Sequence, residues 1–290
     1  MRTSDLGGVI DTHVHTSPDA VPRSMNDVEM ACAARDAGYR AIVLKSHHFV
    51  TADRASLVND LVDGIEVYGG IALNPHACGG LNPFAVEVAA KVGARVVWMP
   101  TFASASHVRH TLPHDAGPLA GLGRVKGSGI GILDPTGRVR SPVTEVLDVM
   151  AREGLTLATG HLSAAEILAL VPHARERGVE RTIVTHPEMA CVGMEHAAQK
   201  DLASMGSVWF ERVYVLTLPP FNGSLREVAE VVEAVGTSST ILATDLGQAG
   251  NPSPVDGMRD YLNGLRRIGM DETDIHQMSR TTPALAHGLD

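Results

Sequence analysis

The stretch Ile10-Asp11-Thr12-His13-Val14-His15-Thr16-Ser17-Pro18-Asp19 opens on a β-branched residue and ends at a Ser-Pro turn signal. Its two histidines are one residue apart. On a strand, side chains at i and i+2 face the same way, so both imidazoles address one point. That geometry suits two ligands of one metal ion. It equally suits two polar residues at an ordinary strand end, because a chain with 14 histidines produces such spacings by chance. Partners elsewhere in the chain have to decide.

Outward from this stretch, short apolar runs alternate with amphipathic segments. Strands are expected at 8–15, 40–45, 66–73, 95–99, 155–160, 181–185, 207–211 and 240–244. Helical patterns fill 25–38, 52–64, 82–94, 141–154, 163–178, 195–206 and 224–236. Several begin on Ser, Asn or Ser-Pro and end on Gly, as helix starts and stops do. Near-continuous apolar strands alternating with helices imply parallel strands covered on both faces.

Eight such units in 290 residues match an α/β (β/α)8 barrel of the TIM type, taken as one domain over 1–290. A loop and β-hairpin insertion is expected around 103–141, where GSGIGILDPTGRVR turns at Asp134-Pro135-Thr136-Gly137. An open doubly wound sheet is the alternative, but no GxGxxG turn follows the first strand.

The formal charge of −9 and the lack of a basic patch argue against a nucleic-acid or anionic-membrane surface. No apolar run approaches the roughly 18 residues of a membrane span, and the start lacks the apolar core of a signal peptide. A soluble cytoplasmic protein acting on a small molecule is the expectation, with association into a homo-oligomer left open. Cys32, Cys78 and Cys191 are odd in number and form no CxxC pair, so neither a disulfide framework nor a thiolate zinc site is expected.

In a parallel barrel, chemistry gathers at the C-terminal ends of the strands. The first expected strand ends in His13-Val14-His15 and the second in Lys45-Ser46-His47-His48. The fifth ends in Thr159-Gly160-His161, the sixth in Thr185-His186-Pro187 and the eighth in Thr244-Asp245. Chance places one or two polar residues at such ends. Five convergent positions point to a metal site.

At these residues the sequence resembles the amidohydrolase superfamily: HxH, His161, His186 and Asp245 stand in that family's order. Locally, KSHH, GGLNP, WMPT, ATGHLS, THPE and ATDLGQ are similar to an uncharacterised, metal-dependent branch of it. The resemblance implies that His13 and His15 bind the more buried metal with Asp245. His161 and His186 would bind a second ion, or one of them would contact substrate. Asp245 would also take a proton from metal-bound water. Neutral imidazoles and a carboxylate suit zinc, as one or two ions, with Mn²⁺ or Fe²⁺ as alternatives.

One feature departs from the family. Many binuclear members carry a carboxylated lysine or a glutamate at the end of strand four, where this chain has Trp98-Met99-Pro100-Thr101. The nearest substitute is Lys45, ending the apolar run AIVLK. It reads three ways: a carboxylated metal bridge, a cation for an anionic substrate, or a lysine reaching out to solvent. DTHVHT followed by KSHH is also similar to the opening of PHP-type phosphoesterases, which would make His47 a ligand.

The expected metal set is therefore His13, His15, Lys45, His161, His186 and Asp245, with Asp245, His186 and Lys45 as catalytic groups. Weaker claims to substrate contact fall on His47, Asn82, Thr101, His107 and Gln248. Asn82 before Pro83 also reads as a helix N-cap, and Glu211 reads as either pocket wall or loop. The function expected is a metal-dependent hydrolase that activates water against a C–N bond (amide, cyclic amide or amidine). PHP-like phosphoester hydrolysis, non-hydrolytic decarboxylation and a ligand-binding protein without turnover are the alternatives.

Overall fold

The structure is a computed structural model that describes residues 6–110 and 127–289. Its strands are β1 (Ile10–Val14), β2 (Ala41–Leu44), β3 (Glu66–Ala72), β4 (Ala94–Trp98), β5 (Thr156–Ala158), β6 (Thr182–Thr185), β7 (Val208–Val213) and β8 (Thr240–Ala243). Each lies within two residues of its expected bounds. All neighbours pair in parallel in the order β1 to β8. The ring then closes. Asp245 N–H donates to His13 O and His15 N–H to Leu246 O, both at 2.8 Å.

The helices are α1 (Asp27–Asp36), α2 (Ala52–Leu61), α3 (Pro75–Cys78), α4 (Pro83–Lys91), α5 (Ala105–His110) and α6 (Ser141–Glu153). They continue with α7 (Ala164–Glu176), α8 (His196–Ser204), α9 (Leu225–Val235), α10 (Pro254–Arg267), α11 (Glu272–His276) and α12 (Thr282–His287). The packed faces follow helical spacing. In α6, Val143, Val146, Leu147 and Met150 are buried at i, i+3, i+4 and i+7. Capping boxes at Asn26/Glu29, Ser163/Glu166 and Ser224/Glu227 fix three of the helix starts.

Outward-facing strand residues pack under these helices as two apolar clusters, one around Val97, Leu157 and Phe210, the other around Ile42, Leu44 and Leu242. The barrel interior holds Val43, Ala72, Val96, Trp98, Ala158, Ile183, Trp209 and Ile241. Ala286 of α12 joins that cluster, and Thr156 Oγ1 donates to its carbonyl at 3.0 Å, so the C-terminal helix helps to stopper the interior. Side chains thus fill the barrel, and the space for chemistry is left at its rim.

Part of the expected insertion is seen. Asp134 N–H donates to Arg138 O at 2.8 Å, and Leu133 bridges Val139 antiparallel, which makes a tight hairpin turn. The helix α5 occupies the start of the same region. Residues 111–126, with His114, lie outside the described residues.

β1 is irregular in a way that matters. Ile10 and Asp11 face Ala41 and Ile42, but Val14 faces Leu44, so two residues of β1 span one of β2. Thr12 and His13 make up this bulge, and both reach Glu211 of β7. Asp11 stays at the seam. Its carboxylate accepts from Thr244 N–H (3.0 Å), Thr244 Oγ1 (2.6 Å) and His13 N–H (3.3 Å). Burial pushes Asp11 up to about 7, opposed by the hydrogen bonds from Thr244 and His13.

The turn after β8 tolerates no side chain at Gly247. Its φ is +125°, and a Cβ there would lie 1.7 Å from His15 O. Gly247→Ala should therefore lower stability by about 3 kcal/mol or more. Equilibrium urea unfolding checks this.

Candidate metal centre

The strand ends converge as their positions require. His13 Nε2 lies 3.1 Å and His15 Nε2 3.0 Å from the same atom, Asp245 Oδ1. The ligand atoms of His13, His15 and Asp245 fall within 4.8 Å of one another. Both histidines are buried, and their rings are 5.3 Å apart.

Glu211 sets the tautomer of His13. A carboxylate only accepts, so the 2.9 Å contact from His13 Nδ1 to Glu211 Oε2 puts a proton on Nδ1 and turns Nε2 toward Asp245. Thr12 Oγ1 donates to the other carboxylate oxygen at 2.7 Å. Burial works against the Glu211 charge, but the charge of His13 and these hydrogen bonds hold its pKa below the usual range. Sequence left Glu211 open between pocket wall and loop; it is buried and braces a ligand.

Burial lowers His13, but the charges of Asp245 and Glu211 outweigh it and raise its pKa; the other histidines of the cup are lowered. Burial, and then the Arg23 guanidinium, push His15 down to about 3. Burial does the same to His186, to about 3, despite the pull of Asp245. Burial again takes His47 and His161 well below the ordinary imidazole value. Asp245 is opposed by burial, yet His13 and His15 keep its carboxyl well below the usual carboxylate range. The imidazoles of His13 and His15 beside the ionised Asp245 carboxylate form a donor set for a divalent ion.

Orphaned atoms mark the same place. His186 Nδ1 and Lys45 Nζ are buried without a hydrogen-bond partner. Uncompensated burial of such groups costs stability, and a bound ion or ligand offsets it. The backbone carries strain here too. His186 and Asp245, just past β6 and β8, have φ of +29° and +51°. Positive φ is uncommon outside glycine and collects at functional sites. The residues present fit a divalent metal.

One of the three readings of Lys45 falls away. The side chain does not reach solvent: it is 1% exposed, and Nζ lies 5.4 Å from the centre of the Trp98 ring. Burial lowers its pKa, while Asp245 and Glu211 pull it back up.

His47 reaches the rim beside His15, with ring centres 4.9 Å apart, and its Nδ1 lies 2.8 Å from Thr101 Oγ1. Thr101 is in turn held by Asn74, whose side chain donates to Thr101 Oγ1 at 2.6 Å and accepts from Thr101 N–H at 3.0 Å. Thr101 therefore positions His47. His107 joins from α5, with its Nδ1 2.9 Å from His161 Nδ1.

Two expected substrate contacts have structural employment instead. Asn82 caps α4, accepting from Phe84 and Ala85 N–H and donating to Cys78 O. Gln248 braces the turn after β8, donating to Asp245 O at 2.7 Å and accepting from Asn251 at 3.1 Å.

Sequence reasoning missed three neighbours. Asn74 carries no motif that distinguishes it from a helix cap. Phe102 packs on His47 at 3.9 Å between ring centres and also touches His107 and His161. Asp19 accepts from Arg23 and contacts His48 Nδ1 at 2.9 Å, and Arg23 in turn contacts His15 Nδ1 at 3.3 Å. Asp19 is visible in the opening stretch, but nothing in the sequence pairs it with His48.

Among the described residues no helix is long and apolar enough to cross a membrane. Residues 8–211 match a protein family described as a family of unknown function (DUF6282). The chain belongs to that family. No curated protein sequence matches it.

Solved structures share its fold. A 2,6-dihydroxybenzoate decarboxylase from Rhizobium superposes with a TM-score of 0.58 at 11% identity, over 98% of this chain and 99% of its own. An amidohydrolase from Pseudomonas aeruginosa gives 0.61 at 12% identity, over 97% and 95%. A Xaa-Pro dipeptidase with bound methionine gives 0.61 at 15% identity, over 98% of this chain and 75% of its own. The resemblance to amidohydrolase-superfamily barrels holds in the fold.

Glu211→Gln should weaken metal binding roughly tenfold to a hundredfold, because it loosens the tautomer and aim of His13 without removing a ligand. Competition with a chromophoric chelator measures this, and unchanged affinity would exclude the orienting role.

Proposed function

We propose that this DUF6282 chain is a divalent-metal-dependent hydrolase of small molecules in the cytoplasm, acting on a C–N bond (amide, cyclic amide or amidine). The observation that carries the reading is the convergence of His13 Nε2 and His15 Nε2 on Asp245 Oδ1, at 3.1 and 3.0 Å. Zinc is the ion proposed, with Mn²⁺ or Fe²⁺ as alternatives, and His13, His15 and Asp245 would hold it. When bound, such an ion supplies Lewis acidity and a water acidic enough to ionise near neutral pH.

The chain's own groups have distinct tasks. Asp245, ionised and at the rim, accepts the proton that the attacking water gives up. Glu211 keeps His13 aimed. His186, with an unpartnered Nδ1, donates a hydrogen bond to the oxygen that becomes negative in the transition state when its proton sits on that nitrogen. Lys45 supplies positive charge from inside the cup, where burial makes each interaction stronger than in water. Phe102 packs on His47 and shields its ring face.

A second reading is non-oxidative decarboxylation. It is favoured by Lys45 Nζ, a buried cation without a hydrogen-bond partner that suits a substrate carboxylate. The shared fold with the Rhizobium decarboxylase agrees with it. The PHP-like alternative rests on DTHVHT followed by KSHH and would make His47 a ligand through Nε2, since its Nδ1 is tied to Thr101.

Metal-replete protein should release amine or ammonia from a panel of small amides and cyclic amides. Release of carbon dioxide from aryl carboxylates, without amine release, would select the decarboxylase instead. Asp245→Asn should lower kcat by about 10²- to 10⁴-fold, the range of a lost general base. Full activity in that variant would refute the role given to Asp245.

A further inference from the structure

We propose that Arg212 is a positioning residue for His186, acting through Glu188 and the loop that follows β6. The task given to His186 rests on the function proposed above; the placement of Arg212 does not. Arg212 follows Glu211 on β7, and alternation along a strand turns neighbouring side chains to opposite faces. Glu211 points inward and braces His13. Arg212 points outward, 2% exposed, against the segment that starts at His186.

A buried guanidinium is unusual in that layer. Val208 and Phe210, on the same face of β7, pack in the outer apolar core, and Arg212 Cζ lies 5.8 Å from the centre of the Phe210 ring. Burying a charge there costs stability unless it is paired, and an apolar side chain of similar volume would pack as well. The pairing of Arg212 is directed at one place. Its Nη1 donates to Glu188 Oε1 and its Nη2 to Gln199 Oε1 at 2.9 Å, while Nε has no partner. Gln199 Nε2 in turn donates to Met194 O at 2.9 Å and to Glu188 Oε1 at 3.3 Å.

Every acceptor in this network lies on the segment that His186 introduces. Met189 N–H donates to His186 O at 2.9 Å and Met194 N–H to Pro187 O at 3.0 Å, so the loop folds back on its own start. The ladder between β6 and β7 ends at the pair Thr185 and Glu211, and the Arg212–Glu188 ion pair joins the same two chains just beyond it. His186 needs such a clamp. Its φ of +29° is a conformation that persists only where the surroundings over-determine it. Glu211 aims His13 and Thr101 aims His47 through a ring nitrogen, whereas His186 Nδ1 makes no hydrogen bond. The direction of the His186 ring is therefore set by its backbone, which Arg212 fastens to β7 two residues further on.

Nitrogen-15 nuclear magnetic resonance of the histidine rings in metal-free protein reads the aim of His186 without a substrate. Arg212→Met, which keeps much of the buried volume, should shift or broaden the His186 ring signals and leave those of His13 and His15 in place. Glu188→Ala should do the same, and at 33% exposure it carries the test should Arg212→Met fail to fold. Glu188→Gln keeps an acceptor oxygen for Arg212 and should retain the wild-type signals. On a substrate drawn from the amide panel, Glu188→Ala should lower kcat about tenfold to a hundredfold with KM and metal content unchanged. Folded Glu188→Ala protein with wild-type His186 signals, or with all three histidines disturbed alike, would overturn the positioning role. Because the resonance test uses no substrate, absence of amide turnover would count against the hydrolase reading alone.

Discussion

Everything at the rim depends on the seam between β1 and β8. Two backbone hydrogen bonds, Asp245 N–H to His13 O and His15 N–H to Leu246 O, join the first strand to the end of the last. Because they run through the ligand residues themselves, closing the barrel and assembling the cup are one event. Asp11 stabilises this seam by accepting from His13 N–H in the bulge of β1 and from Thr244 N–H just past β8. The bulge in turn brings Thr12 and His13 within reach of Glu211. A regular β1 would keep the Asp11/His13/His15 alternation and lose that brace.

The cup is costly to fold. It holds buried imidazoles, a buried ammonium and two residues at positive φ, each unfavourable by itself. The rest of the molecule compensates with continuous apolar packing outside the strands and a filled interior. Burial also serves the chemistry, since it keeps the His15 and His186 imidazoles uncharged at neutral pH. Desolvation and ligand preparation are therefore the same physical effect.

Legibility in the sequence followed how local each signal was. All eight strands were readable because parallel strands buried on both faces are written as short apolar runs between amphipathic helices. His13, His15, His161, His186 and Asp245 were readable because strand ends in a barrel share one rim. Asn74 and Phe102 carried no such mark: an Asn-Pro pair reads as a cap, and a lone aromatic reads as core. Asn82 had the same Asn-Pro signature and does cap its helix, so the signature by itself did not separate the residue that holds the Thr101–His47 pair from the one that only starts α4. The C-terminal helices that stopper the barrel also went unplaced, because no spacing rule says which end of a barrel a trailing helix will cover.

The sequence by itself determined the barrel, its strand bounds to within two residues, and the histidines and aspartate that line one rim. Hydrophobic periodicity and strand polarity are sufficient for that. Only the tertiary structure decided which nitrogen faces which oxygen, that Lys45 stays inside and that Glu211 steadies His13. Those outcomes turn on the bulge in β1, on side-chain rotamers and on loops folded back over the rim, where residues far apart in sequence meet without any repeat to announce it.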